Sequence, residues 1–433
     1  MIAPQWDWAV SNIRKNILVM LEAAALVALG VGISVAALSV LVTIDQDPIP
    51  GRSTSLYFPL FDPRSALEAA TGSAPPNSLS WIDANNLVQG GRPGSVAMTA
   101  GGTGKAKTAI TPYPTKMNLR YANAAFFGIF DVPFLYGTGW SAKDDFSRAR
   151  YAVLSSDAAA ELFGAANPVG REITLDGTAF VVMGVTSDWH PMPRFYDLSR
   201  GGFNTSDEIF VPLETAMDLK MAVAGNFSCW GDGWSHLSDL KGADCGWLTV
   251  WAYLPEQSTK NAYSRFLANY YASQRSLGRF ELPTNVSLMN VNEYLADAEL
   301  VTPEVKLQTY LALGLLVVCL INASSLLLSL SLRRRREFAL RRALGAAQID
   351  IVSQAVFEGV LIGSLAGLLA AAVSWGGLHL LGKLPTLYSA AIHVDIKTLV
   401  IAVLLSVAAS VLSSLAPAWI SARARPIDYL NVE

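Results

Sequence analysis

Few residues in this 433-residue chain are of types and at spacings that could do chemistry. The segment at 101–107, Gly-Gly-Thr-Gly-Lys-Ala-Lys, looks at first like a nucleotide phosphate loop, where glycines open the backbone, a lysine reaches the phosphates and a Ser/Thr hydroxyl holds magnesium. Against the required G-x-x-x-x-G-K-[ST], Thr99 stands at the first glycine and Ala106 at the hydroxyl position, and both departures remove function. His190, His236, His379 and His393 are scattered, with no Cys/His cluster at metal-ligand spacing, and His190, between Trp189 and Pro191, reads as a turn residue. There is no G-x-S-x-G elbow. The adjacent acids Asp144–Asp145 and Asp207–Glu208 read as solvated loop charge or helix caps. No catalytic residue, metal site or bound cofactor is expected in this chain.

The cysteines carry structure rather than catalysis. Cys319 falls in an apolar stretch and reads as a small packing residue. Cys229 and Cys245 lie in a Gly-, Trp- and Asp-rich segment, 226–248, that has no regular period. In an oxidising compartment a bridge between them is expected over two unpaired thiols, stabilising the fold by about 3 kcal/mol in the chain-entropy model.

The elements that must position these residues follow from composition. Only 15% of residues are charged and mean hydropathy is +0.34, against about 25% charged in soluble domains, which argues against an ordinary cytoplasmic enzyme. Stretches 23–44, 307–332, 359–382 and 398–422 carry no charge and match the roughly 20 residues needed to cross a bilayer. The expected plan is an α-helical membrane protein with four transmembrane helices, at 17–44, 307–332, 355–382 and 398–422, and a large mixed α/β domain at 45–306 inserted between the first two. A cytoplasmic amphipathic N-terminus (1–16), a cytoplasmic segment (333–354), a short external loop (383–397) and a cytoplasmic tail (423–433) complete it.

Residues 45–306 hold 20 Lys and Arg against 27 Asp and Glu, whereas the rest holds 12 against 8. Basic residues gather at Arg14, Lys15, Arg333–Arg336, Arg341, Arg342, Arg423 and Arg425. Cytoplasmic flanks of membrane helices are enriched in such residues, so both termini and the 333–358 loop are expected inside. The first helix is read as an uncleaved anchor, being longer than a signal-peptide core and lacking a cleavage site. Ahead of it, Trp6, Trp8, Ile13 and Ile17 suggest a helix lying along the inner membrane surface.

Within 45–306, strands are expected at 151–154, 172–175, 180–185 and 208–211, with an Asp176–Gly177 hairpin turn. Helices are expected at 156–163, capped by Ser155, and at 260–274. The Pro/Gly/Ser-rich stretch 62–104 reads as loops. Residues 291–308 read as helix running into the second membrane span, interrupted only by Pro303.

The most informative segment is 332–371. Arg333–Arg336 stop the second span, and Phe338, Ala339, Leu340, Arg342, Ala343 and Leu344 then form a short helix with apolar and basic faces, broken by Gly345. A second amphipathic piece with Ile349, Ile351, Val352 and Val356 leads into the third span. Its Gly359, Gly363, Ser364, Gly367 and Ala371 suit close helix packing. A short helix with exposed apolar residues needs a partner.

The string R-R-R-E-F-A-L-R-R-A-L-G-A, with I-D-I-V and E-x-x-L-I-G-x-x-A-G-x-x-A after it, resembles the signature of MacB/FtsX-type ABC transporter permeases. FFGIFDVPFLYGTGW with YAVLSSDAAAELFGAANPVGREITLDGTAFVVMGV resembles that family's periplasmic core domain, and PAWISARARPIDYLNVE its ending. Residues 190–290 match no motif of the family. The resemblance implies a dimeric inner-membrane permease, homo- or heterodimeric, with a periplasmic α/β domain on a stalk. It implies that Arg336, Glu337, Arg341, Arg342, Ala343, Leu344 and Gly345 form a coupling helix docking on a separate ABC ATPase dimer, which holds the ATP and magnesium. The implied action is mechanotransmission for export of a peptide, antibiotic or lipid-linked cargo, with a periplasmic adaptor and outer-membrane channel among the partners and no nucleic acid. Lipoprotein extraction, or regulation of a periplasmic enzyme or sensor, would use the same machine. A membrane-anchored enzyme or adhesin would leave the 333–345 helix unexplained.

Overall fold

The computed structural model describes residues 16–72, 75–90, 95–111, 113–203, 206–236, 239–283, 286–343, 345, 347–384, 392 and 395–422. The N-terminal in-plane helix, His393, Leu344, most of the 383–397 loop and the 423–433 tail lie outside them. The chain divides into two compact units, Met1–Asp45 with Val301–Glu433, and Gln46–Leu300.

Helix α1, Ile17–Ile44, opens the first unit. The second unit then runs β1 (Leu56–Phe61), α2 (Ala66–Ala70), α3 (Trp81–Gly90), β2 (Ser95–Lys107), β3 (Thr115–Ala122), α4 (Ala125–Ile129), β4 (Phe134–Gly137), α5 (Ala142–Phe146), β5 (Tyr151–Leu154), α6 (Ser156–Phe163), β6 (Glu172–Leu175), β7 (Thr178–Thr186), β8 (Ile209–Pro212), α7 (Leu213–Asp218), β9 (Val223–Ala224), β10 (Ser228–Cys229), β11 (Cys245–Gly246), β12 (Thr249–Tyr253), α8 (Gln257–Ser276), β13 (Val286–Asn290) and α9 (Val291–Asp297). Its large sheet has the order β13-β1-β12-β2-β3-β8-β5-β7-β4, with β6 and β9 pairing to β2 off that path. β3 is parallel to β8 and β5 to β7, while the other pairs are antiparallel.

The centre of this sheet is buried on both faces. Along β12, Val250 and Ala252 face a core shared with Leu87 of α3 and Tyr263, Leu267 and Tyr271 of α8. Trp251, between them, faces an aromatic cluster with Phe126 of α4, Phe130, Phe195 and Tyr294 of α9. The period-2 alternation of a strand therefore separates two cores. The Ser155 hydroxyl accepts from the Ala158 N–H and caps α6, and the Asp176–Gly177 turn joins β6 to β7 with positive φ at both residues.

The first unit resumes with α10 (Pro303–Arg333), α11 (Arg335–Ala343), α12 (Gln348–Lys383) and α13 (Ile396–Ala422). Helices α1, α10, α12 and α13 are each long and apolar enough to cross a membrane. Pro417 lies inside α13.

Three expectations need correction. The stretch 62–104 is not loop: it contains α2, α3 and most of β2, a strand of 13 residues. The glycines that suggested loop are required by close approach, since a Cβ on Gly102 would stand 2.3 Å from the Tyr121 ring and one on Gly101 2.4 Å from the Arg200 Cδ. Residues 101–107 are thus extended strand, which cannot wrap a phosphate as the loop at a helix N-terminus does. The helix expected over 291–308 is broken, with α9 ending at Asp297 and Glu299 at φ +46; Pro303 begins α10 instead of interrupting a helix, because its missing N–H costs nothing in a first turn. Asp207 is no solvated loop charge but is buried among arginines, as described below.

Candidate coupling site and helix seam

α11 is held at its N-terminal end by Arg334. That guanidinium reaches Glu358 of α12 at 3.2 Å and Glu337 of α11 at 3.6 Å, and lies 5.1 Å from the Phe338 ring centre. Glu358 also accepts from the Gln354 side chain at 3.0 Å. Phe338 and Ala339 are buried, with Phe338 packed on Ile351 and Val352 of α12. Arg336 is exposed and Leu340 is 53% exposed. One face of α11 is anchored while the other presents an apolar side chain beside a charge. Gly345 follows at φ +100, a left-handed conformation available to glycine without strain. Of the seven sequence candidates, Arg336, Glu337 and Gly345 are thereby placed; Arg341, Arg342 and Ala343 lie on the α11 backbone with side chains outside the described residues. Arg334, the residue that fixes the helix, was missed, since in sequence it is one of four consecutive arginines.

Gly359, Gly363 and Gly367 form a seam against α13. Cβ atoms added there would stand 3.1, 2.6 and 3.0 Å from the Cα atoms of Val411, Val407 and Val403. The matched four-residue steps run in opposite directions, so the two helices pack antiparallel with their backbones in near contact. Ser364 is exposed and stands outside the seam. Between other helices, Ser374 Oγ donates to the Gly32 carbonyl and Ser34 Oγ to the Ala312 carbonyl, each at 2.9 Å. Cys319 is buried, its Cβ 2.9 Å from where a Gly30 side chain would begin.

In the α/β unit the charged chemistry is buried at Arg120 of β3. Its Nη1 binds Asp197 at 2.5 Å and its Nε Asp207 at 2.8 Å. Tyr196 donates to Asp207 at 2.9 Å, and Arg194 and Arg200 stand 3.6 and 3.4 Å from the same carboxylate. Burial pushes both carboxyls up, but the arginines beside them win and hold Asp197 and Asp207 below the ordinary range. The cluster ties Arg194, Asp197, Arg200 and Asp207 to β3. In sequence Arg120 alternates with Met117, Leu119 and Tyr121 just as Lys116 and Asn118 do, so nothing along β3 set it apart as a buried charge.

The other candidates are structural. Asp144 closes a capping box with Ser141, and Asp145 accepts from the Ala124 N–H and Trp140 Nε1. Glu208 accepts from the Asn118 N–H. His190 is partly exposed, its ring nitrogens near Ser206 and Asp188. Cys229 and Cys245 are disulfide-bonded across β10 and β11. Their loop is folded onto the domain: Trp247 stacks on Trp81 with ring centres 6.0 Å apart, and Lys241 covers Trp81 at 4.2 Å while pairing with Glu214 at 2.9 Å. Among the described residues no group of three His, Cys, Asp or Glu side chains could hold a metal.

Comparison with known proteins agrees with this architecture. A MacB-like periplasmic core domain matches residues 24–228 and an FtsX-like permease C-terminal matches 310–426. The pyoverdine export ATP-binding/permease protein PvdT of Pseudomonas fluorescens is 25% identical over 64% of this chain and 39% of its own length. The macrolide export ATP-binding/permease protein MacB of Syntrophobacter fumaroxidans is 24% identical over 98% of this chain and 63% of its own. The chain thus spans less than two thirds of these relatives. The crystal structure of the periplasmic region of MacB from Actinobacillus actinomycetemcomitans matches with a TM-score of 0.37 and 16% identity, covering 58% of this chain and 95% of that one. With a MacB-like periplasmic core domain ahead of an FtsX-like permease region, the two matches together spanning most of the chain, the chain belongs to the MacB/FtsX-type ABC transporter permeases.

Proposed function

We propose that this chain is the permease subunit of an ABC exporter that works by mechanotransmission in a bacterial inner membrane, its termini and α11 cytoplasmic and its α/β domain periplasmic. ATP and magnesium are held by a separate ATPase dimer, and the permease acts as a homo- or heterodimer with no catalytic residue of its own. ATPase closure displaces α11, the displacement passes into α10 and α12, and the periplasmic domains respond by moving cargo on their own side of the membrane. The names of the relatives, which speak of pyoverdine and macrolide export, favour export of a peptide or antibiotic-like cargo, with an adaptor and outer-membrane channel as further partners.

The observation that carries this reading is the division of α11 into an anchored face and an exposed one. Arg334 ties it to Glu358 on α12, so force applied at Leu340 and Arg336 is delivered to a membrane helix. Leu340→Glu and Arg336→Glu place opposing charge at the expected contact while leaving Phe338 buried. Co-purification of the ABC ATPase with the full-length permease is expected to fall by about tenfold or more, the equivalent of 1.4 kcal/mol, with unchanged thermal melting. Undiminished ATPase retention contradicts the coupling role.

A further inference from the structure

The α/β domain contains a cleft that the coupling reading does not use, and the proposal drawn from it stands without that reading. The upper edge of β2 is paired in two places, at Gly101–Gly102 with β9 and at Ala106–Lys107 with β6. Between them a cleft of about 460 Å³ opens over Thr103–Lys105, bounded by the β6–β7 turn on one side and by residues 219–222 on the other. Its size falls in the range of small-ligand sites.

Three lysines from three segments line it: Lys105 of β2, Lys116 of β3 and Lys220 after α7. Lys105 and Lys116 are direct cross-strand partners. Like charges in that register oppose sheet formation, so the pair is not there for stability. All three side chains are exposed, and none makes an ion pair among the described residues. Lys220 sits at φ +50, a conformation favouring glycine or asparagine at a helix end, yet a lysine occupies it. Asp176 is the acidic residue in the lining, and its Oδ1 is taken up by the Lys105 N–H at 2.9 Å. The cleft therefore carries a net charge of about +2 in a domain with more acids than bases. Leu175, Leu219 and Met221 supply an apolar wall.

We propose that this cleft binds a doubly charged, phosphate-type anion bearing a small apolar group, held by Lys105, Lys116 and Lys220 as point charges. A free phosphorylated molecule and a phospholipid headgroup share that chemistry. The test is calorimetric titration of phenyl phosphate into the full-length protein in phosphatidylcholine nanodiscs at neutral pH, with phenol as the uncharged control. Saturable binding of phenyl phosphate but not phenol is expected, weakened about tenfold or more in Lys116→Gln and in Lys220→Gln, since each loses a charge-assisted contact. Both side chains are exposed, so the variants should melt as the parent does; Lys220→Arg, which keeps the charge, should retain binding. Displacement by inorganic phosphate identifies a free anion as the ligand, and displacement only by phosphatidic acid in the disc identifies a lipid headgroup. Absence of saturable binding, an affinity indifferent to both lysine substitutions, or failure of both competitors would overturn the proposal.

Discussion

The two units solve the packing problem with opposite materials. In the α/β unit the largest buried side chains include Trp251, Phe126, Phe130 and Phe195, and the buried charge of Arg120 is answered by two aspartates. In the membrane unit the α12–α13 contact is made by Gly359, Gly363 and Gly367 against the valine backbone of α13, with serine hydroxyls bonding neighbouring carbonyls elsewhere. Water rewards burying a large apolar surface, by roughly 25 cal/mol per Å². Lipid does not, because the surroundings are as apolar as the side chain, so helices there gain from close backbone contact and a few hydrogen bonds. Each unit is therefore vulnerable in its own way: the first to an unpaired charge or a lost bulk, the second to an added methyl.

Substitutions can separate these two modes of packing. The largest effect is expected from Arg120→Leu, which leaves Asp197 and Asp207 buried without their cation, at a cost of about 3–5 kcal/mol. Urea unfolding of the full-length protein, followed by tryptophan fluorescence, should show it, and adding Asp197→Asn with Asp207→Asn should recover a large part. Removing the Cys229–Cys245 bridge as a double serine variant should cost about 3 kcal/mol in the same assay. The parent chain, unfolded without reductant, should offer alkylating reagent one thiol, Cys319, and not three.

In the membrane unit Gly363→Val should cost about 1–3 kcal/mol by overpacking against the Val407 backbone, measured by unfolding in mixed detergent micelles. Gly314→Ala and Gly376→Ala, where an added Cβ meets nothing within 4 Å, should stay within about 0.5 kcal/mol of the parent. Equal costs at all three glycines would erase the distinction between seam and lipid face.

The smallest effect concerns Asp145. Burial raises its carboxyl to about 6, against the pull of bonds from the Ala124 N–H and Trp140 Nε1. Because the folded-state value lies above the unfolded one of 3.8, the native state holds the proton more tightly. Its contribution to stability is present below about pH 4 and is lost as pH rises through about 6. Comparing stability at the two ends, the parent should lose of order 1 kcal/mol, after solvent screening, that Asp145→Asn does not lose.

Much of the architecture was legible because lipid and water select such different residues. Uncharged runs marked the four spans, and Ser155 with Asp176–Gly177 marked a cap and a turn whose chemistry is local. Long-range arrangements were hidden. Gly101 and Gly102 read as loop because the side chains that exclude a Cβ, Arg200 and Tyr121, are distant in sequence. Asp207 read as solvent charge because Arg120 lies 87 residues away. On α11 the amphipathic pattern gave the helix, but its anchor, Arg334 to Glu358, spans 24 residues and cannot be separated from its neighbouring arginines by pattern alone.

In the coupling role proposed for α11, an ATPase drives this permease through that helix. A single cysteine at Leu340, introduced with Cys319→Ser, provides a direct measurement: disulfide or short-linker crosslinking to the co-expressed ABC ATPase in inner-membrane vesicles, with and without ATP. An efficient permease–ATPase crosslink whose yield changes when ATP is added is expected, and none from a cysteine placed at Leu368, an exposed position on the membrane span of α12. A crosslink absent at Leu340, or equal at both positions and indifferent to ATP, would contradict it.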